Sequence, residues 1–142
     1  MRPDQLVFVG QSIGCAPALS MAAQWPEANT VLVSPFKSVP AMAADVYPWL
    51  LWPVQQLGLL DVLIQDSFDN LRTAGRLKAP VLVIHGTRDQ IVPFGHGVAV
   101  HEALGRAGVA SRMVRVEGAG HNDILSRSEA MRELQRFALG GS

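Results

Sequence analysis

Apolar residues cluster along this chain in two periodicities. Four short runs are rich in β-branched and aliphatic side chains: Leu6–Val9, Thr30–Val33, Val81–His85 and Arg112–Val116. The first three are almost continuously apolar, as strands covered on both faces are. The fourth alternates in part, which suits a strand nearer a sheet edge. Between the runs the period lengthens. Residues Ile13–Trp25, rich in Ala, Leu and Met, predict a helix that stops before Pro26. Pro17 lies near its first turn, where a missing N–H costs least. Gly97–Gly105 predicts a shorter helix ending at glycine. The last helix follows Ser126-Arg-Ser-Glu129, a capping-box pattern, and carries Ala130, Met131, Leu134, Phe137 and Ala138 on one face before Gly140-Gly141.

Strands alternating with helices imply right-handed crossovers and a parallel α/β sheet of about four strands with flanking helices. No repeat or linker divides the chain, so residues 1–142 read as one unit. Residues 34–80, between the second and third runs, are too many for one crossover helix. They predict a helical cap-like insertion over about 37–70, with Tyr47-Pro-Trp-Leu50, Trp52 and Phe68 among its apolar residues.

Composition narrows the class. Apolar residues make up 49% and charged residues 17%, with a formal net charge of zero, which fits a globular chain with a core. Lys and Arg are scattered, so no nucleic-acid partner is expected. The most apolar long stretch, Ala41–Ile64, is broken by Asp45, Pro48, Pro53 and Asp61 and does not read as a bilayer span. No signal peptide is evident, and the single Cys15 cannot form an internal disulfide, so the expected compartment is the cytoplasm.

The chemistry begins at Gly10-Gln-Ser-Ile-Gly14, placed between the first run and the first helix. Strand, Gly-x-Ser-x-Gly, helix is the pattern of a nucleophile elbow. In it Ser12 takes a strained backbone conformation that lifts its hydroxyl above the strand end. Gly10 and Gly14 let neighbouring chain approach closely. The helix start supplies free N–H groups, and the Ile13 N–H is the expected oxyanion donor. Two further strands each end in a loop with a suitable partner, Asp89 in Pro80–Pro93 and His121 in Arg112–Asp123. The order Ser, Asp, His is that of an acyl-transfer triad in which Ser12 attacks, His121 moves the proton and Asp89 orients the ring.

Other residues compete for these roles. Asp123 is a rival acid, but two residues from His121 it is badly placed to reach Nδ1. His85 ends a buried run and reads as a hydrogen-bonded structural residue, whereas His96 and His101 read as solvated helix residues. Cys15, at a helix start, is either reactive or a small packing residue. The histidines show no metal-ligand spacing, so no metal is expected.

These segments together resemble the C-terminal half of α/β-hydrolase-fold serine hydrolases, in the branch that holds the eukaryotic depalmitoylating hydrolases and their bacterial serine-peptidase-like relatives. The matching stretches are "GQSIG", "SPFKS" (Ser34–Ser38), "YPWL", "DSFDNL" (Asp66–Leu71), "APVLVIHGTRDQIVPFGHG" and "EGAGHNDI". The resemblance implies hydrolysis of an ester, thioester or amide in a small acyl or peptide-like substrate, without a cofactor. It implies Ser12 as nucleophile, Asp89 as acid and His121 as base. It also implies a partial α/β-hydrolase fold lacking the N-terminal strands, which in the family supply a second oxyanion donor. Loss of one such donor typically costs about a hundred- to a thousandfold in turnover. Some relatives carry an N-terminal membrane anchor. The competing expectation is a non-catalytic fragment or interaction module. It would pair through the exposed edge of its first strand, with a second copy or with a missing N-terminal half.

Overall fold

The computed structural model describes residues 5–38 and 69–140. The expected cap-like insertion, with its tryptophans and Phe68, falls almost wholly outside the described residues. Among the described residues four strands form one sheet: β1 (Val7–Gln11), β2 (Asn29–Val33), β3 (Val81–Gly86) and β4 (Ser111–Val116). They pair in sequence order, each parallel to the next. The four helices among the described residues are α1 (Cys15–Gln24), α2 (Asn70–Ala74), α3 (Phe94–Arg106) and α4 (Ser128–Ala138).

The two faces of the sheet bury separate cores. Cys15, Ala18, Leu19 and Ala22 of α1 and Val100 and Leu104 of α3 pack with Leu32, Val81 and Val83 on one face. On the other, Ala130, Leu134 and Phe137 of α4 pack with Val31, Val33, Leu82, Ile84, Val114 and Val116. Alternate residues of β2 and β3 thus serve opposite cores, which is why those runs are apolar without a break. The edge strand β4 buries only Val114 and Val116, as its partial alternation predicts. Its Arg112 reaches Glu133 of α4 at 2.6 Å.

Three local expectations change. The first helix does not begin at Ile13. Ser12–Gly14 form a 3-10 turn and the α-helix starts at Cys15, so the chain tightens before it can propagate. The last helix is not opened by a capping box. Ile124–Ser126 form a second 3-10 turn, Arg127 is the N-cap, and no side chain caps the helix. Helix α3 begins at Phe94, ahead of Gly97, and buries His96 and Gly97 in its first turn despite the two glycines there.

Helix α2, which the apolar pattern does not predict, opens on Asp69, whose side chain accepts the Arg72 N–H at 3.1 Å. Asn70 ties it to the chain leaving β2, donating from Nδ2 to the Phe36 carbonyl at 2.8 Å. Among the described residues no helix is long and apolar enough to cross a membrane.

Candidate functional site

Because all four strands are parallel, their C-terminal ends share one edge, and the loops that leave β1, β3 and β4 converge there. Ser12 leaves β1 with φ of 53°, in the left-handed region that a side chain rarely occupies. That conformation turns the strand sharply into α1. The close packing it requires explains Gly10: a Cβ there would meet the Cys15 Cα at 2.7 Å and the Ala18 Cβ at 2.8 Å. Ser12 is partly exposed, and the neighbouring Ile13 side chain is 72% exposed. The Ile13 N–H belongs to the first turn, where N–H groups have no acceptor one turn earlier.

Asp89 sits in the loop after β3 with its carboxylate withdrawn from solvent. Its Oδ1 accepts N–H groups from Ile91 at 2.9 Å and Val92 at 2.8 Å. Its Oδ2 lies 2.8 Å from His121 Nδ1. A carboxylate is an acceptor, so Nδ1 carries the proton of this bond and Nε2 of a neutral His121 is left with its lone pair. The structure therefore brings the predicted acid and base together, from loops on two neighbouring strands.

The loop bearing His121 is bonded to the loop bearing Asp89. Gly118, at φ of 72°, reverses the chain after β4 and donates its N–H to Thr87 Oγ1 at 2.9 Å. Arg88 donates its N–H to the Ala119 carbonyl at 3.0 Å. From the other side the Gln11 side chain, one residue before Ser12, reaches the His121 carbonyl at 3.5 Å. Ser12 thus adjoins the residue that touches the histidine loop. No hydrogen bond joins its own hydroxyl to His121 among the described residues. An open depression of about 280 Å³ takes in His121, with Arg88, Gln90, Ile91 and Asn122 on its walls, but not Ser12.

The competing residues are otherwise engaged. Asp123 accepts the Gly120 N–H at 2.6 Å and pairs with Arg127, also at 2.6 Å. The Arg127 guanidinium, foremost, holds its carboxyl below the usual range. Cys15 is fully buried and its thiol donates toward the Gly10 and Val33 carbonyls at 3.3 and 3.4 Å. Burial pushes the thiol pKa up to about 12, so Cys15 is a packing residue and not a nucleophile. His101 bonds Ser111 at 3.1 Å and links α3 to β4. His96 corrects the expectation of a solvated residue. It is 1% exposed and its Nδ1 accepts the Lys37 N–H at 3.1 Å. A histidine at helical spacing with Val100 and Ala103 was the available signal. Among the described residues no group of His, Cys, Asp and Glu is arranged to hold a metal ion.

His85 is the residue whose place the sequence alone understates. It is structural and hydrogen-bonded, as expected, with Nε2 2.8 Å from the Val92 carbonyl. The same nitrogen lies 3.5 Å from Asp89 Oδ2, directly behind the acid.

Comparison with known proteins identifies the family and the fold. The sequence profile of the prolyl oligopeptidase family matches residues 1–139. The human alpha/beta hydrolase domain-containing protein 17B is 32% identical over 137 residues, covering 96% of this chain and 42% of that protein. The chain thus spans about two-fifths of the length of such curated relatives. Among solved structures, the Pyrococcus horikoshii acylaminoacyl peptidase superposes with a TM-score of 0.75 at 15% identity, over 97% of this chain and 24% of that one. A puromycin hydrolase superposes with a TM-score of 0.72 at 21% identity, over 99% of this chain and 23% of that one. At such identities these two structures speak to the fold, which matches part of the α/β-hydrolase architecture.

Proposed function

The chain belongs to the prolyl oligopeptidase family, and from that membership and the Asp89–His121 pair we propose that it is a serine hydrolase working through an acyl-enzyme on Ser12. The observation that carries the reading is the occupancy of the Asp89 carboxylate. Two backbone N–H groups hold Oδ1, which leaves Oδ2 aimed at His121 Nδ1. In the proposed reaction His121 Nε2 takes the proton of Ser12 Oγ as that oxygen attacks an ester, thioester or amide carbonyl. The Ile13 N–H steadies the oxyanion. His121, now an imidazolium held against Asp89, returns the proton to the leaving group, and water repeats the sequence to free the acid. The reaction requires the Ser12 hydroxyl to bond His121 Nε2, and catalytic hydrogen bonds commonly form or tighten only once substrate is bound.

The exposed Ile13 and Ile91 side chains at this edge favour an apolar acyl or side-chain group over a highly charged one. The chemistry implies no cofactor. A reducing compartment such as the cytoplasm suits a chain whose single thiol stays free and buried.

A fluorophosphonate probe with peptide mapping tests the reading. The expected product is a single adduct on Ser12, absent from Ser12→Ala. A folded chain that stays unmodified, both alone and within a polypeptide of the relatives' full length, would refute it.

One observation favours a second reading. The outer edge of β1 bonds to no strand among the described residues, and Val9 on it is 52% exposed. In that reading the chain is a module that pairs through β1 with a second copy or with a separate N-terminal half. Sedimentation separates the two: a labelled monomer supports the hydrolase, and an unlabelled assembly supports the module.

A further inference from the structure

We propose that His85 is a positioning residue for the Asp89–His121 pair, clamping the acid loop through its Nε2–H bond to the Val92 carbonyl. The inference deepens the hydrolase reading of the same site and rests on it for its functional meaning.

The argument starts from a tautomer. A backbone carbonyl only accepts, so the 2.8 Å contact from His85 Nε2 to the Val92 oxygen places the proton on Nε2. Val92 is then held at both ends. Its carbonyl takes the His85 proton, and its N–H is one of the two donors on Asp89 Oδ1. Val92 itself is fully buried against Ala16 and Phe36. The loop therefore runs from a strand residue, His85, through Asp89 to Val92 and back to His85, a closed ring of bonds with the carboxylate inside it. Asp89 Oδ1 is fixed by that ring, and Oδ2, 3.5 Å from His85 Nε2, faces His121 Nδ1 at 2.8 Å.

The other ring nitrogen shows that the position is built. His85 Nδ1 is buried with no hydrogen-bond partner among the described residues. Gly97 of α3 lies against it so closely that a Cβ there would overlap the ring. Phe94, at the start of α3, meets the imidazole edge-on at 5.6 Å. The helix thus sets the ring plane, and the absence of a side chain at Gly97 makes room for it. Burial, the leading influence, holds the His85 pKa below its ordinary value despite the nearby acid. A neutral His85 leaves the Asp89 charge undivided for the imidazolium that His121 becomes.

The test reads the pair directly. In chain labelled with ¹⁵N-histidine, the His121 Nδ1 proton is followed by its chemical shift and its exchange with water. His85→Phe keeps the ring and removes the donor. The expected result is about tenfold faster exchange of that proton, the loss of roughly one net hydrogen bond, with the β3 and β4 amide spectrum unchanged. His85→Gln, which can place an N–H near the Val92 carbonyl, restores slow exchange. If His85→Phe does not fold, Gly97→Ala supplies the readout, because its methyl displaces the imidazole at a position where alanine suits the helix. Unchanged exchange in folded His85→Phe or Gly97→Ala overturns the proposal, as does His85→Gln behaving like His85→Phe. The measurement can be made in a Ser12→Ala background, so a failure of Ser12 to react with a phosphonate and a failure of His85 to position Asp89 give different results.

Discussion

Two serines leave neighbouring strands at the same level. Gln11 and Val33 are register partners, so Ser12 and Ser34 are the first residues beyond the ends of β1 and β2. Both are non-glycine residues in the left-handed region, with φ of 53° and 50°. Each such conformation costs of order 1–3 kcal/mol. Their surroundings differ. Ser12 is partly exposed, beside the histidine loop, and opens a turn whose N–H groups are free of helical acceptors. Ser34 is fully buried, gives its N–H to the Ile84 carbonyl at 2.8 Å, and has no partner for its hydroxyl among the described residues. The same backbone strain thus occurs in two places, and strain alone does not mark a nucleophile. What distinguishes Ser12, the proposed nucleophile, is access to solvent and the bonded Asp89–His121 pair on the adjoining loops.

The strongest way to sharpen this contrast is to disable the pair and leave both serine backbones alone. Asp89→Asn puts an amide where Oδ1 accepts two N–H groups and Oδ2 faces Nδ1, so either the loop loses its anchor or His121 takes the wrong tautomer. The phosphonate labelling rate of Ser12 is expected to fall about 10⁴-fold, the size of effect that the wrong tautomer produces in such triads. A fall of less than about tenfold would break the comparison, because Ser12 would then owe its reactivity to its backbone and not to its neighbours.

Asp89 and His121 were legible in the sequence for the reason that makes this prediction large. Each follows an apolar run, and parallel strands bring the residues after their ends to one edge. The strands themselves were readable because β2 and β3 are buried on both sides and leave no polar interruption. The apolar run that predicts β1 ends at Val9, whereas pairing to Leu32 and Val33 carries the strand to Gln11. The details that escaped depend on contacts distant in sequence. His96 resembles a solvated helix residue until α3 docks and Lys37 donates to it. The Ser126–Glu129 pattern resembles a capping box until a 3-10 turn takes up Ser126. Nothing local to Val92 announces that its two backbone groups would serve Asp89 and His85.

A smaller effect concerns the residue that joins the two strand ends. The Cys15 thiol donates toward Gly10, two residues before Ser12, and toward Val33, immediately before Ser34. Its pKa rises from 9.0 to about 12, chiefly through burial, against the opposing pull of its bond to Val33. Above pH 9 the unfolded chain releases this proton while the folded chain keeps it. The unfolded state then binds fewer protons, and stability falls as pH rises, by up to about 1.4 kcal/mol per pH unit until the folded thiol ionises. Below pH 9 the group contributes no pH dependence. Denaturation of wild type and Cys15→Ala at about pH 8 and about pH 10 should show wild type losing about 1.4 kcal/mol more than the variant over that interval. Parallel losses would mean that the thiol does not clamp the strand ends as a buried neutral donor.

The smallest effect tests the buried member of the serine pair. Ser34→Gly removes the Cβ that makes φ of 50° unfavourable, a gain of about 1 kcal/mol, and removes a hydroxyl without a partner among the described residues, a gain of similar size. Against these stand the added freedom of glycine in the unfolded chain, about 0.5–1 kcal/mol, and a small packing loss. The net expectation is a stabilisation of up to about 1 kcal/mol. Ser34→Ala keeps the strain and loses only the hydroxyl, so the difference between the two variants isolates the backbone contribution. The same substitution at the other strand end, Ser12→Gly, should relieve a comparable strain because φ there is nearly equal. Thermal unfolding of the three variants therefore measures whether the two left-handed serines are equally strained, while phosphonate labelling separates them. Should Ser34→Gly destabilise the chain by more than about 1 kcal/mol, its hydroxyl holds a structural partner and the two serines differ in more than access.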